Sequence, residues 1–307
     1  MTGVKTWTIQ ELLKITSEYF KRRGVEAPRL SAEILLAHLL DVSRIQLYLQ
    51  FDRPLSEGEL AGYRALIKRR LNREPLQYIT GTQEFWSLEF AVSPSVLVPR
   101  PESEQLVEKS LSLLERGMIP HADQPRILDL CTGSGALAVA LAKEIPCGSF
   151  WASDISPEAI GLARSNASRH GVSERIHFVV GDLWKPLKDQ GVGFDLIVSN
   201  PPYIRSVDLK TLPREVGYEP RLALDGGEDG MVHIRKILSE GARYLHPGGW
   251  ILLEMDPEQT SKALSFMQET GHYESWERVK DYSRRYRVVL GRKCARPWAD
   301  TAISTPT

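Results

Sequence analysis

The chain has 307 residues, 42% hydrophobic and 25% charged, which suits a globular protein with room for one main domain and a smaller one. Lys plus Arg and Asp plus Glu both number 39, so the total charge advertises neither a nucleic-acid nor a membrane partner. No apolar run approaches the ~20 residues that cross a bilayer, the first residues lack the apolar core of a signal peptide, and Cys131, Cys147 and Cys294 show no metal or disulfide spacing; a cytoplasmic protein without a metal centre is expected.

Residues 1–80 read as an all-helical domain. Thr8 with Glu11 and Ser56 with Glu59 form S/T-x-x-E capping boxes, each opening a segment of helical apolar spacing. Ser31 to Asp41 and Ser43 to Phe51 supply two more helices, and Ile9, Leu12, Leu13, Ile15 and Phe20 line one buried face of the first. Residues 1–74 hold 13 Lys/Arg against 9 Asp/Glu. The densest basic run, Lys68-Arg69-Arg70 with Arg73, reads as a solvated helix face or a docking surface for an acidic partner.

Residues 81–101 change character. Phe85, Trp86, Leu88, Phe90, Val92, Val96 and Val98 alternate with polar residues about Ser93-Pro94, the pattern of a β-hairpin linker. Two prolines in Val98-Pro99-Arg100-Pro101 stop a strand from continuing, and Glu102 to Arg116 reads as a helix.

From Arg126 to residue 295, strand-like and helix-like runs alternate. RILDLC precedes helix Ala136–Ile145, SFWASD precedes helix Pro157–Arg169, and RIHFVV and FDLIVSN follow; helix Asp229–Tyr244 leads to WILLEM, and helix Pro257–Glu269 to a closing pair, Ser275–Val279 and Tyr286–Gly291. Such alternation predicts an α/β fold around a mostly parallel sheet, and the closing pair fits an antiparallel hairpin at its edge. Residues 296–307 read as a disordered polar tail.

Three acidic residues and a glycine loop mark a candidate cofactor site. Asp129-Leu130-Cys131-Thr132-Gly133-Ser134-Gly135 follows the first strand and opens a helix, where Gly133 and Gly135 permit close approach of a ligand to the backbone. Asp154 ends the next strand, where a carboxylate can accept ribose hydroxyls, or else cap the following helix. Asp182, beside Leu183, follows the third strand and suits an adenine amino group. A nicotinamide cofactor shares much of this pattern, but no hydride-transfer constellation follows it.

Asn200-Pro201-Pro202-Tyr203 follows instead. At a strand end, the Asn200 side-chain carbonyl can accept one N–H of a substrate NH₂ and the Pro201 carbonyl the other. The two prolines fix the direction of that carbonyl, and Tyr203 offers a flat face to an amide or a base. Two acceptors hold a conjugated NH₂ nitrogen in line for methyl transfer and stabilise the positive charge it develops. A strand-ending turn uses the same residues, and a purely scaffolding module remains the non-enzymatic alternative.

In the segments EFWSLEFAVSPSVLVPRPESE, ILDLCTGSGALAVALA, FDLIVSNPPYI and YEPRLALDGGEDG, the chain closely resembles the PrmC/HemK family of N5-glutamine methyltransferases that act on peptide-chain release factors. The resemblance implies a class I (Rossmann-like) methyltransferase domain over 102–295, an N-terminal substrate-recognition domain over 1–80 and a hairpin linker over 81–101. It implies methylation of the glutamine of the release-factor GGQ motif by S-adenosylmethionine, with consequences for translation termination. The glutamine amide then falls to Asn200, Pro201, Pro202 and Tyr203. The cofactor falls to Asp129, Cys131–Gly135, Asp154, Asp182, Leu183 and Asn200, while Phe85 and Arg100 shape the pocket. Cys131 stands where many relatives have glycine, and Glu254-Met255-Asp256 and the turn Asp281–Arg285 also depart from the family pattern. The competing substrate for the same motif is the adenine N6 of DNA or RNA, against which the balanced charge argues.

Overall fold

A computed structural model describes residues 6–188 and 190–295; the expected disordered tail lies outside the described residues. Two compact units are present, one holding the residues up to Thr82 together with Leu212–Tyr218, the other the rest.

The first unit is built from helices α1 (Ile9–Arg22), α2 (Pro28–Leu40), α3 (Arg44–Leu49), α4 (Glu57–Leu71) and α5 (Leu76–Thr80). Thr8 and Ser56 close the expected capping boxes with Glu11 and Glu59, and Ser43 forms another with Gln46. Helix α2 starts three residues before the expected Ser31 because Pro28 occupies its first turn, where a missing N–H costs nothing. Helix α5, five residues long, is too short to show a period in sequence. Leu13, Phe20, Leu35, Leu36, Leu47 and Tyr63 fill the core.

The basic run of α4 is only in part a solvated face: Lys68 is exposed, while the arginines are paired. Arg69 pairs with Glu74 at 2.5 Å. Arg70 is buried and Arg73 half-buried; they pair with Glu215 at 3.3 and 3.5 Å, and Arg73 also donates to the carbonyls of Gly24 and Arg23. Glu215 lies far away in sequence, so a reading of local charge could not find it. Charges neutralised inside the unit offer little to a phosphate backbone.

Strands β1 (Thr82–Phe85) and β2 (Leu88–Ala91) form a two-stranded sheet. Its turn is Trp86-Ser87, with φ of +52° and +55°, not the expected Ser93-Pro94. Two positive φ values in a two-residue loop give the mirror-image turn whose twist matches a hairpin; Trp86-Ser87 lacks the Asn-Gly signature, which hid it. Ser93-Pro94 instead makes a separate turn, closed by Val96 N–H on Ser93 O at 3.1 Å.

Then follow α6 (Glu104–Glu115), β3 (Arg126–Leu130), α7 (Ala136–Glu144), β4 (Ser149–Asp154), α8 (Pro157–Arg169), β5 (Ile176–Val180), β6 (Phe194–Ser199), α9 (Val232–Tyr244), β7 (Leu245–Glu254), α10 (Thr260–Thr270), β8 (Tyr273–Lys280) and β9 (Tyr286–Lys293). Strand order is β5-β4-β3-β6-β7-β9-β8. The first five are mutually parallel, and β9 and β8 form the antiparallel hairpin at the edge. Both faces are covered. One packs Leu137, Leu141, Phe150 and Leu196 together, the other Leu128, Ile197, Ile234 and Leu253, as a parallel sheet requires.

The chain runs outward from β3 to β5 and returns to β6 on the other side of β3. That reversal leaves a crevice beyond the carboxyl ends of β3 and β6, the general ligand position of open α/β sheets. Register brings the key residues there. Leu130 pairs with both Ser153 and Ser199, so the next residues, Cys131, Asp154 and Asn200, emerge side by side.

Candidate active site

A cavity of about 370 Å³ opens at these strand tips, within the range that holds small-molecule ligands, about 300–1,000 Å³. Its floor is the loop from Cys131 to Ser134, its sides include Asp154, Ile155, Asp182 and Leu183, and Phe85 and Leu137 add apolar wall. Phe85 is held edge-on by Phe90, centroids 6.1 Å apart.

The loop is tightened from both flanks. Thr132 N–H donates to Ser153 O at 2.9 Å, and Gly133 N–H donates to Asp154 Oδ2 at 2.9 Å. Asp154 Oδ1 accepts from Ser156 N–H, while the cap of α8 is Ser156 itself; Asp154 is therefore not the helix cap. Burial raises the Asp154 carboxyl above its ordinary range, against the backbone N–H bonds that lower it. Asp182 is lowered, chiefly by its contact with Lys185 at 2.8 Å. Cys131 adopts φ +63°, a left-handed conformation that glycine enters more readily, which accounts for the glycine expected at this position.

Gly133 and Gly135 both have positive φ but face different surroundings. A Cβ on Gly135 would stand 2.9 Å from Ala163 Cβ and 3.1 Å from its Cα, whereas one on Gly133 would meet nothing within 4 Å. Gly135→Ala is expected to cost about 2–4 kcal/mol of stability, from left-handed strain plus collision with the α8 backbone. Gly133→Ala should cost only about 1 kcal/mol, yet its methyl enters the cavity wall and should weaken cofactor binding about tenfold or more. Urea unfolding and equilibrium dialysis separate the two effects; equal stability losses would contradict this difference.

Asp129 lies behind the loop rather than in it. Its Oδ2 accepts from Thr132 Oγ1 at 2.6 Å and Ala138 N–H at 3.1 Å, and Oδ1 has no partner among the described residues. Complete burial pushes its carboxyl up to about 7. The folded state thus holds this proton more tightly than the unfolded chain, so its contribution to stability is fully present below about pH 4 and is lost as pH rises through about 7. Asp129→Asn should remove that dependence. Denaturant midpoints should fall between about pH 4 and 8 in the parent and fall less in the variant, by up to a few kcal/mol at about 1.4 kcal/mol per pKa unit.

At the tip of β6, Asn200 Nδ2 donates to Ser103 Oγ at 2.9 Å. The Ser103 hydroxyl donates to Glu254 Oε2 at 2.5 Å, and Tyr203 OH donates to Glu254 Oε1 at 3.3 Å. With Glu254 ionised, proton counting orients the Asn200 amide. Ser103 has one hydrogen and gives it to a carboxylate, so toward Asn200 it can only accept. The Asn200 nitrogen must face Ser103, and among the described residues no donor reaches Oδ1. Since Asn200 lines the cavity, a lone carbonyl acceptor is left for a ligand. Glu254 is buried at the end of β7, and burial raises its carboxyl despite the Ser103 and Tyr203 bonds that lower it.

The segment after the tip is locked from the other side. Ile204 pairs with Leu224 and Gly226 through backbone bonds of 2.9 and 2.8 Å, and Gln259 Nε2 donates to Tyr203 O at 2.7 Å. A Cβ on Gly226 would stand 2.7 Å from Tyr203 Cα, so only glycine lets these backbones meet.

Comparison with known proteins agrees with this geometry. Residues 11–81 match the PrmC N-terminal domain and residues 103–213 the methyltransferase small domain. The release factor glutamine methyltransferase of Geobacter sulfurreducens is 46% identical over 287 residues, 93% of this chain and 97% of that protein. The protein belongs to the release factor glutamine methyltransferase family. The Vibrio cholerae relative of the same name is 39% identical over 284 residues, 92% of this chain and 96% of that protein. Among solved structures, the hMettl16 catalytic domain bound to a MAT2A 3′UTR hairpin superposes with a TM-score of 0.57 at 14% identity, over 74% of this chain and 82% of that one. At that identity the likeness is one of fold.

In this methyltransferase the cavity wall gathers Phe85, Arg100, Cys131, Thr132, Gly133, Ser134, Asp154, Asp182, Leu183, Asn200 and Pro202. Asp129, Gly135, Pro201 and Tyr203 stand outside the wall, and the first and last of these brace it from behind. Sequence reasoning missed Ser103 and Glu254, although both lie in motifs it singled out. It also missed Pro220, Leu222 and Ala223, which line the cavity from the segment after Glu219. Glu219 ties that segment to the linker, accepting from Arg100 Nη2 at 2.5 Å and Val98 N–H at 3.2 Å. Burial raises its carboxyl against the pull of Arg100.

Proposed function

We propose that this enzyme transfers a methyl group from S-adenosylmethionine to the side-chain amide nitrogen of the glutamine in the GGQ motif of peptide-chain release factors. The observation that carries the reading is the Glu254–Ser103–Asn200 chain, which leaves one carbonyl acceptor beside the glycine loop. When bound, the cofactor supplies an electrophilic methyl on a sulfonium. Asp154 would hold its ribose hydroxyls and Asp182 its adenine amino group, with the loop backbone from Cys131 to Gly135 beneath. The space over Gly133, which no protein atom occupies, supports that fit.

Asn200 Oδ1 accepts one N–H of the glutamine amide. That acceptor fixes the nitrogen in line and stabilises the charge it gains. No strong base is required, because the proton is acidic once nitrogen is alkylated. Phe85, Pro202 and Leu222 line the same cavity.

A protein partner needs a surface beyond the cavity. Ile45 and Leu49 on α3 are 73% and 78% exposed, with Tyr48 between them, and they supply apolar contact area for a release factor. Adenine in DNA or RNA is the less favoured substrate, since Arg69, Arg70 and Arg73 are already paired.

The test is transfer of labelled methyl to a release factor, to its GGQ→GGA variant and to unmethylated DNA. Label on the parent factor alone is expected. Label on DNA, or equal label on the variant, refutes the glutamine assignment.

A further inference from the structure

At the opposite end of the sheet, His121, Asp195 and His246 converge on one point. Asp195 is the second residue of β6, His246 the second of β7, and His121 sits in the loop between α6 and β3. His121 Nδ1 lies 2.7 Å and His246 Nδ1 2.8 Å from the same oxygen, Asp195 Oδ1. The three candidate donor atoms all lie within 4.8 Å of one another. Arg126 N–H donates to Asp195 Oδ2 at 2.8 Å, which orients the carboxylate and leaves Oδ1 for the two rings. A Cβ on Gly193 would fall 2.4 Å from His246 Nε2, so that residue's lack of a side chain admits the ring.

We propose that His121 Nδ1, His246 Nδ1 and Asp195 Oδ1 bind one divalent first-row transition-metal ion, with zinc as the test ion. Two imidazoles and one carboxylate suit zinc, cobalt or nickel, whereas magnesium and calcium prefer sets made of oxygen alone. Bonds of about 2.0–2.2 Å to each donor would space the donors by roughly 3.3 Å, so each N···O separation must open by about half an ångström. His121 can supply its share of that movement, because it belongs to a loop and its side chain is 65% exposed, and the His246 ring, 28% exposed, has to tilt by a similar amount. The same exposure gives the ion a way in, and a fourth position stays open to water. Neutral imidazoles bind through Nδ1 with their proton on Nε2, so no proton has to leave; one carboxylate against a divalent ion leaves a net charge of +1, which the open fourth position can share with water or hydroxide. The Arg126 N–H on the free carboxylate oxygen is the outer contact that a metal-binding carboxylate requires.

The ion would tie the α6–β3 loop to the starts of β6 and β7, away from the cavity at the other strand ends. Its role is therefore to brace the fold. Separations of 74 and 51 residues from Asp195 left no spacing to read in the sequence, which pointed to no metal.

The experiment uses the full chain, stripped with a chelator, carrying Cys147→Ser so that this exposed thiol does not compete. Zinc is titrated by calorimetry, cobalt by visible absorption, and thermal midpoints are recorded with zinc or magnesium. Saturable 1:1 zinc binding is expected, with a midpoint raised by about 4 °C at a hundredfold excess over Kd and no shift with magnesium. His121→Ala, at the exposed position, should weaken zinc about tenfold or more, cut the shift to about half or less and leave methyl transfer unchanged; His246→Gln should do the same to binding. Absence of 1:1 binding, or equal binding by His121→Ala, overturns the proposal and leaves the triad a hydrogen-bonded brace. Should His246→Gln fail to fold, His121→Ala decides alone.

Discussion

Asn200→Ala is expected to lower kcat for methyl transfer by about 10²–10³-fold, the scale found when one preorganised hydrogen-bonding group is removed from a reacting centre. Cofactor affinity should change little, because the loop from Cys131 to Ser134 and Asp154 remain. Stability should also hold. The alanine removes only the Nδ2 bond to Ser103, worth about 1 kcal/mol, and Ser103 keeps its own bond to Glu254. Steady-state kinetics with dialysis against S-adenosylmethionine distinguish the cases. Unchanged kcat would remove Asn200 from the chemistry, and lost cofactor binding would reassign it to the cradle.

Glu254→Gln carries the second large effect without touching the substrate. When ionised, the wild-type carboxylate only accepts, which polarises the chain so that Ser103 accepts from Asn200 Nδ2. A glutamine can turn its NH₂ toward Ser103. The Ser103 hydrogen is then free to bond Asn200 Oδ1, and the Asn200 amide turns its NH₂ toward the cavity. Two NH₂ groups would then face each other, so kcat should fall about 10–100-fold, less than in Asn200→Ala because the wrong orientation is not obligatory. Ser103→Ala, which frees Asn200 from either orientation, should fall in the same range with KM for the cofactor unchanged. A Glu254→Gln enzyme with wild-type kcat would show that the polarity of this chain is irrelevant.

The sheet was legible because its central strands, such as β6, are continuous buried runs, and β4 and β6 lead into the polar residues Asp154 and Asn200 at the crevice. Asp154 and Asn200 could be named for that reason, and register then set them side by side. The hairpin turn was misplaced because Trp86-Ser87 carries no turn chemistry, while Ser93-Pro94 carries a strong signal for a different turn. The arginine run was misread because Glu215, its partner, returns to the helical unit from a distant segment. Ser103 and Glu254 escaped notice for a related reason. A hydroxyl after PE and a carboxylate ending LLE are unremarkable alone, and their meaning comes from hydrogen bonds across 97 and 151 residues of sequence. Tyr203 was expected to face the substrate, yet its hydroxyl reaches the buried Glu254 and its ring packs into the core behind the tip.

The orientation of one amide carries the account, and a crystal structure of the enzyme with a glutamine peptide and demethylated cofactor would observe it directly. Asn200 Oδ1 is expected within about 3.2 Å of the glutamine nitrogen, with Asn200 Nδ2 still on Ser103. A glutamine nitrogen beyond hydrogen-bonding reach of Oδ1, or an Asn200 that presents its NH₂ to the substrate, would contradict that expectation.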